Sequence, residues 1–181
     1  MYYFLCASLP GLGFGQDPGM GVAEFDALCA GEMTPAALAA LQEGTLRVSR
    51  EPGSAAGLPA VYAAYTRFEQ YLRTRVAERR AGRDEESTLR LPDPELYFGE
   101  VDAALGAAAA APDPLEREKL IDRIRWRKLE ELEAGHEFDF DALCVYRLKL
   151  EILGRYRRRS AETGRTNFNA AAGRVSGGVQ Q

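Results

Sequence analysis

Apolar residues recur along this chain at steps of three and four, and nowhere alternate convincingly in twos. In VYAAYTRFEQYLRTRV, residues Val61, Tyr65, Phe68, Leu72 and Val76 fall on one face of a long helix near Pro59–Arg80. Arg67, Arg73 and Arg75 lie elsewhere on its circumference. In LIDRIRWRKLEEL, Leu120, Ile121, Ile124 and Leu132 form one face while Trp126 points well away, so this helix meets neighbours on two sides. The segment FDFDALCVYRLKLEILGRYRRR carries two stripes. One is Leu143, Tyr146, Leu150 and Leu153; the other is Val145, Leu148, Ile152 and Tyr156. An arc that wide predicts a helix near Phe140–Arg158 packed on most of its circumference, the centre of a bundle.

Punctuation agrees with the periodicity. Thr34 caps a helix that opens with Pro35 and stops before Gly44. Asp113 and Pro114 repeat the device, with Glu116 where a capping-box acid would stand, and Asp93 and Pro94 repeat it again. Asp139 is placed to cap the later helix; Gly164 ends that excursion, and a short helix follows from Thr166 with Phe168, Ala172 and Val175 on one side. PGLGFGQDPGMG and SREPGSAAGLP read as connectors, and RRAGRDEESTLRLPDP as a charged link. The prediction is an all-α bundle of about six to seven helices joined by glycine- and proline-rich connectors. It forms a single domain over residues 1–176, with an N-terminal part (1–81), a mobile charged link (82–93), a C-terminal part (94–176) and a disordered tail (177–181).

Composition narrows the function classes. The chain has 181 residues, 46% of them hydrophobic and 28% charged, which suits a globular fold with a real core. A net charge of −4 argues against bulk binding to nucleic acid or anionic membrane, while leaving room for a local basic patch. Cys6, Cys29 and Cys144 are far apart and in no CxxC or Cys/His cluster, which predicts reduced thiols in a cytoplasmic protein. No stretch is apolar for long enough to span a bilayer, and MYYFLCASLPGLGFG, lacking a basic lead, reads as part of the fold.

Candidate chemistry is sparse. GLGFG places glycines at 11, 13 and 15 with Gln16 next, which misses the dinucleotide fingerprint, so a flexible turn is expected. His136 is the sole histidine and has no spaced cysteine or carboxylate partner for a zinc site; with Asp139 it reads as capping helix ends. Asp139 and Asp141 stand two apart near a helix start, where their side chains diverge and complement the helix dipole instead of forming an acid pair. The sequence therefore predicts no catalytic residue, no cofactor and no metal. What remains is charge. Arg155, Arg157, Arg158 and Arg159 follow the core helix, and Arg75, Arg79, Arg80 and Arg83 close the earlier one. Complementing a helix C-terminus accounts for part of each run. The excess predicts that Arg155–Arg159 fan across the surface and bind an acidic partner, in preference to RNA. Glu151 and Arg155, four apart with the acid first, are expected to pair.

MYYFLCASLPGL followed by VAEFDALC, and then WRKLEELEAGHEFDFDALCVYRLKLEILGRYRRRSAETGRTNF, resembles a small bacterial family whose genes tend to lie inside V-type (A/V-type) ATPase operons. That family in turn resembles a reduced form of the ATPase's socket component, designated C in prokaryotes and d in eukaryotes, which joins the central stalk to the membrane ring. There an opening Tyr-x-x-Ala-Arg helix precedes a helical hairpin, and a later Tyr/Leu-rich helix carries an acid and then arginine. Tyr3, Phe4 and Ala7 match the first element; Tyr146, Leu150, Glu151 and Arg155 match the second, with Gly164 and Phe168 beyond. Ser8 stands where the socket component has arginine, and the length suits one helical module of it. The resemblance implies a non-enzymatic accessory or socket-like part of the ATPase. It would contact the central stalk or membrane ring and sit peripherally on the inner membrane. Two other classes stay open: a free helical adaptor or regulator binding an acidic protein or RNA, and an enzyme with a cofactor the motifs do not betray.

Overall fold

The computed structural model describes residues 1–49, 55–80 and 99–158. Among these residues there are seven helices and no strand: α1 (Tyr3–Ser8), α2 (Val22–Glu32), α3 (Pro35–Gln42), α4 (Ala60–Arg80), α5 (Gly99–Ala110), α6 (Pro114–Glu133) and α7 (Phe140–Arg158). The protein is an all-α bundle. Its long early helix and its late helix lie where the apolar stripes place them. The start expected at Asp93 and Pro94, the link 82–93, the short helix from Thr166 and the tail 177–181 lie outside the described residues.

The caps explain the boundaries. Thr34 Oγ1 accepts from the Ala37 amide at 3.3 Å, Asp113 Oδ1 from Leu115 at 3.0 Å, and Asp139 Oδ1 from Ala142 at 2.9 Å. Each satisfies a first-turn amide that the helix cannot. After α6 the chain reverses at Gly135, whose φ of 90° lies in the left-handed region that a side chain would oppose. Gly44 has a different reason. A Cβ there would overlap the Tyr62 ring, whose hydroxyl donates to the Leu41 carbonyl at 2.7 Å and ties α4 to the end of α3.

Helix α7 is the hub. Helices α2, α3, α4 and α6 all pack on it, and residues 143–150 are buried without a break. Leu143, Tyr146, Leu150 and Leu153 are all buried, as are Val145, Leu148 and Ile152 of the second stripe. Helix α4 contributes Val61, Tyr65, Phe68 and Leu72, and α6 contributes Ile121 and Ile124 on one side with Trp126 buried on another. Helix α5 folds against α4 and α6 and covers their outer side with Val101, Leu105 and Ala108.

The glycine-rich segment after α1 is a turn, with positive φ at Gly15 and Gly19. Instead of hanging free it is pinned to the bundle. Phe14 sits edge-on to Trp126 and Tyr156, at 5.6 and 5.8 Å, with the Arg123 guanidinium over its ring at 4.6 Å. Tyr146 holds the near end by donating to the Pro10 carbonyl at 3.0 Å.

Because Leu150 is almost wholly enclosed, Leu150→Ala should lower stability by roughly 2–5 kcal/mol in denaturant unfolding while keeping the helical circular-dichroism signal.

Candidate docking surface: an arginine-lined cleft

Glu69 falls inside the apolar stripe of α4, four residues after Tyr65 and three before Leu72, and its side chain is fully buried. A carboxylate there persists only if cations follow it inward. Arg125 of α6 does so with both ends of its fork, Nε and Nη2 lying 2.8 Å from the two Glu69 oxygens. Arg73, one turn along α4, adds a contact at 2.9 Å. The remaining nitrogen of Arg125 donates to Asp122 at 2.8 Å. Asp122 is buried as well, and receives Arg155 of α7 at 3.0 Å and the Tyr156 hydroxyl at 3.3 Å. Two carboxylates and three arginines thus join α4, α6 and α7. Burial works to lower the Arg125 pKa, but the hydrogen bonds and charge of Glu69, with Tyr65 and Asp122, outweigh it and hold the guanidinium above its ordinary value.

A second knot lies on the α2 side. Arg147 of α7 takes both oxygens of Asp26, at 3.0 and 3.2 Å, and donates to the Gly44 carbonyl and to Glu151. Glu151 in turn accepts the Leu46 amide at 3.0 Å. The loop between α3 and α4 bridges the two knots, since Arg73 donates to the carbonyls of Leu46 and Val48, each at 3.0 Å.

These contacts correct two expectations. Glu151 and Arg155 do not pair: Glu151 is held by Arg147 one turn earlier and by Leu46, while Arg155 turns to Asp122. Arg155 also does not fan outward. A buried aspartate shared with Arg125 draws it in. The side chains of Arg157 and Arg158, and the whole of Arg159, lie outside the described residues. On α4, Arg75 pairs with Asp102 at 2.6 Å and Arg79 donates to the Asp102 carbonyl at 2.9 Å, so both fasten α5. Arg80 remains exposed.

Between α4, α6 and α7 these side chains leave a cleft of about 620 Å³, lined by Arg73, Arg80, Arg125, Arg155, Asp122 and Glu118. In it an expected site residue, Arg155, meets three other arginines in a concave surface; a neighbouring concavity of about 780 Å³ sets it beside Arg47 and Glu151. Guanidinium groups of this kind pair with carboxylates and phosphates. Among the described residues no serine, threonine, cysteine, lysine or histidine lines the cleft, and no group of three or more His, Cys, Asp or Glu suited to a metal occurs. Burial pushes the Cys29 and Cys144 thiols up to about 12, far from thiolates at neutral pH. Glu69, Asp122 and Arg125 escaped the sequence reading. Their signal was an acid inside an apolar stripe with an arginine one turn on, at Glu69 and Arg73 and at Asp122 and Arg125.

His136 and Asp139 sit together in the α6–α7 turn, Nδ1 to Oδ2 at 2.6 Å, as a capping pair. The hydrogen bond to Asp139 raises the His136 pKa above 6.5. Burial works to raise the Asp139 carboxyl, but His136 and the Ala142 amide outweigh it and hold it below 3.8.

Two outcomes follow. Glu69→Gln strips the main counter-charge from Arg125 and should cost about 3–5 kcal/mol in urea unfolding, whereas Glu69→Leu combined with Arg125→Met should recover much of that loss. The His136–Asp139 pair stabilises fully between the unfolded carboxylate and histidine values, about pH 4 to 6.5. Its contribution fades as pH rises through the raised histidine value, and again as pH falls through the lowered aspartate value. The melting-temperature gap between the wild type and His136→Ala should therefore be widest in that window and close on the alkaline side; a gap unchanged from about pH 5 to 9 would refute the assignment.

No curated protein and no solved structure matches this chain. A family model does, over residues 83–178, just over half of the chain. The match takes in α5, α6 and α7, and with them Asp122, Arg125, Arg147 and Arg155, while Glu69, Arg73 and Arg80 precede it. The chain belongs to the family described as protein of unknown function, DUF2764.

Proposed function

We propose that this protein is a non-catalytic accessory or socket-like subunit of a V-type (A/V-type) ATPase, acting by docking to stalk or ring subunits. The observation that carries the reading is the cleft between α4, α6 and α7, lined by Arg73, Arg80, Arg125 and Arg155. Other features are compatible with it. The opening helix that matches the socket component's pattern presents Tyr3 and Phe4 outward, and α2 and α3 pack as a hairpin after it. Ser8, the departure from that pattern, folds back to donate to the Leu5 carbonyl at 2.8 Å. Tyr146 and Leu150 of the second matching element are core, while Glu151 and Arg155 tie α7 to its neighbours. Among the described residues no helix is long and apolar enough to cross a membrane, so on this reading contact with the inner membrane runs through the ATPase.

The second reading, a free adaptor binding an acidic protein or RNA through the same arginines, has the exposed Arg80 in its favour. Affinity recovery from membranes separates the two. The wild-type chain should bring down ATPase stalk or ring subunits, with yield falling as salt screens the contact. Recovery of RNA alone, with steep salt dependence, would establish the adaptor reading instead. Reversal of Arg157, Arg158 and Arg159 to Glu should leave the helical signal and melting temperature nearly intact and abolish recovery of ATPase subunits. Arg155 is left out of that variant because Asp122 depends on it.

A further inference from the structure

Among the described residues, the cleft between α4, α6 and α7 carries four arginines against three carboxylates. Arg73, Arg80, Arg125 and Arg155 line it; Asp122 and Glu118 stand on its walls and Glu69 lies buried beneath. Arginine cannot shed its proton to relieve such an excess. The donors are not equally engaged. All three nitrogens of Arg73 and of Arg125 are taken by Glu69, Asp122 and the carbonyls of Leu46 and Val48. Those two form a fixed basic floor. Among the described residues Arg155 gives only Nη1, to Asp122, which leaves its Nε–Nη2 edge, the edge that donates two parallel hydrogen bonds to a carboxylate. Arg80, exposed on the last turn of α4, supplies a second cation at the lip.

We infer that this cleft receives an acidic segment of a partner protein, one carboxylate taking the free edge of Arg155 and another meeting Arg80. The inference rests on the docking reading above and names the chemistry the partner must present. Two observations favour spaced carboxylates over a compact polyanion or nucleic acid. A space of about 620 Å³ accommodates several side chains. The two available cations, Arg155 and Arg80, stand on different helices, which suits two separate carboxylates. Because Glu69 and Asp122 already hold the floor arginines in place, little ordering is required when the partner arrives.

The test is calorimetric titration of the full-length protein with hexaglutamate, against hexaglutamine, inorganic phosphate and a uridine-rich oligonucleotide as controls. Hexaglutamate should bind saturably, at least about tenfold more tightly than any control, and weaken steeply as salt rises from about 0.05 to 0.3 M. Arg80→Glu should reduce its affinity by about tenfold or more with the melting temperature unchanged. Arg155→Lys keeps a cation for Asp122 but removes the side-on fork, and should weaken binding severalfold. Equal binding of hexaglutamate and hexaglutamine overturns the inference, as does indifference to Arg80→Glu or tighter binding of phosphate or the oligonucleotide. The two readings fail separately. Hexaglutamate binding without recovery of ATPase subunits retains the cleft and removes the ATPase. Recovery of those subunits by a chain that ignores hexaglutamate retains the ATPase and removes the cleft.

Discussion

Arg125 is held between two buried carboxylates, Glu69 of α4 and Asp122 of α6, and the packing of the bundle around α7 depends on that clamp. A buried carboxylate in an apolar stripe is costly unless its counter-charge comes from close by and in good geometry. Here both conditions set the placement of whole helices. Arg125 can reach Glu69 only if α6 lies against α4, and Asp122 can reach Arg155 only if the end of α7 lies against α6. A slide of one helix by a turn would break these contacts and leave the charges buried without partners.

The second cluster does the same for the N-terminal half. Arg147 is buried in the middle of α7, and its partners come from α2, from the end of α3 and from α7 itself. The loop at residues 44–48 connects the clusters through Arg73, Leu46 and Glu151. Helices of modest length are thereby tied by polar contacts distant in sequence, set within an apolar core. The same contacts shape the candidate site. The floor of the cleft is the outer side of the structural cluster, so its arginines are rigid for reasons that have nothing to do with a ligand.

The sequence by itself determined the fold class and the location of the principal helices. Apolar residues at helical spacing leave no other way to bury them together, and Thr34, Asp113 and Asp139 satisfy local amides with no help from distant residues. The burial of Leu143, Tyr146, Leu150 and Leu153 was legible for the same reason, since it depends only on a period. Tertiary structure decided the pairing of charges. Glu151 and Arg155 are ideally spaced for one another, yet each is taken by a partner from elsewhere, because a buried aspartate or backbone amide gains more from a charge than a half-exposed neighbour does. Phe14 looked like part of an unconstrained turn until Trp126 and Tyr156 supplied its seat. Periodicity reports which face of a helix turns inward. Which polar group waits there depends on how helices far apart in sequence come together, and no local pattern encodes that.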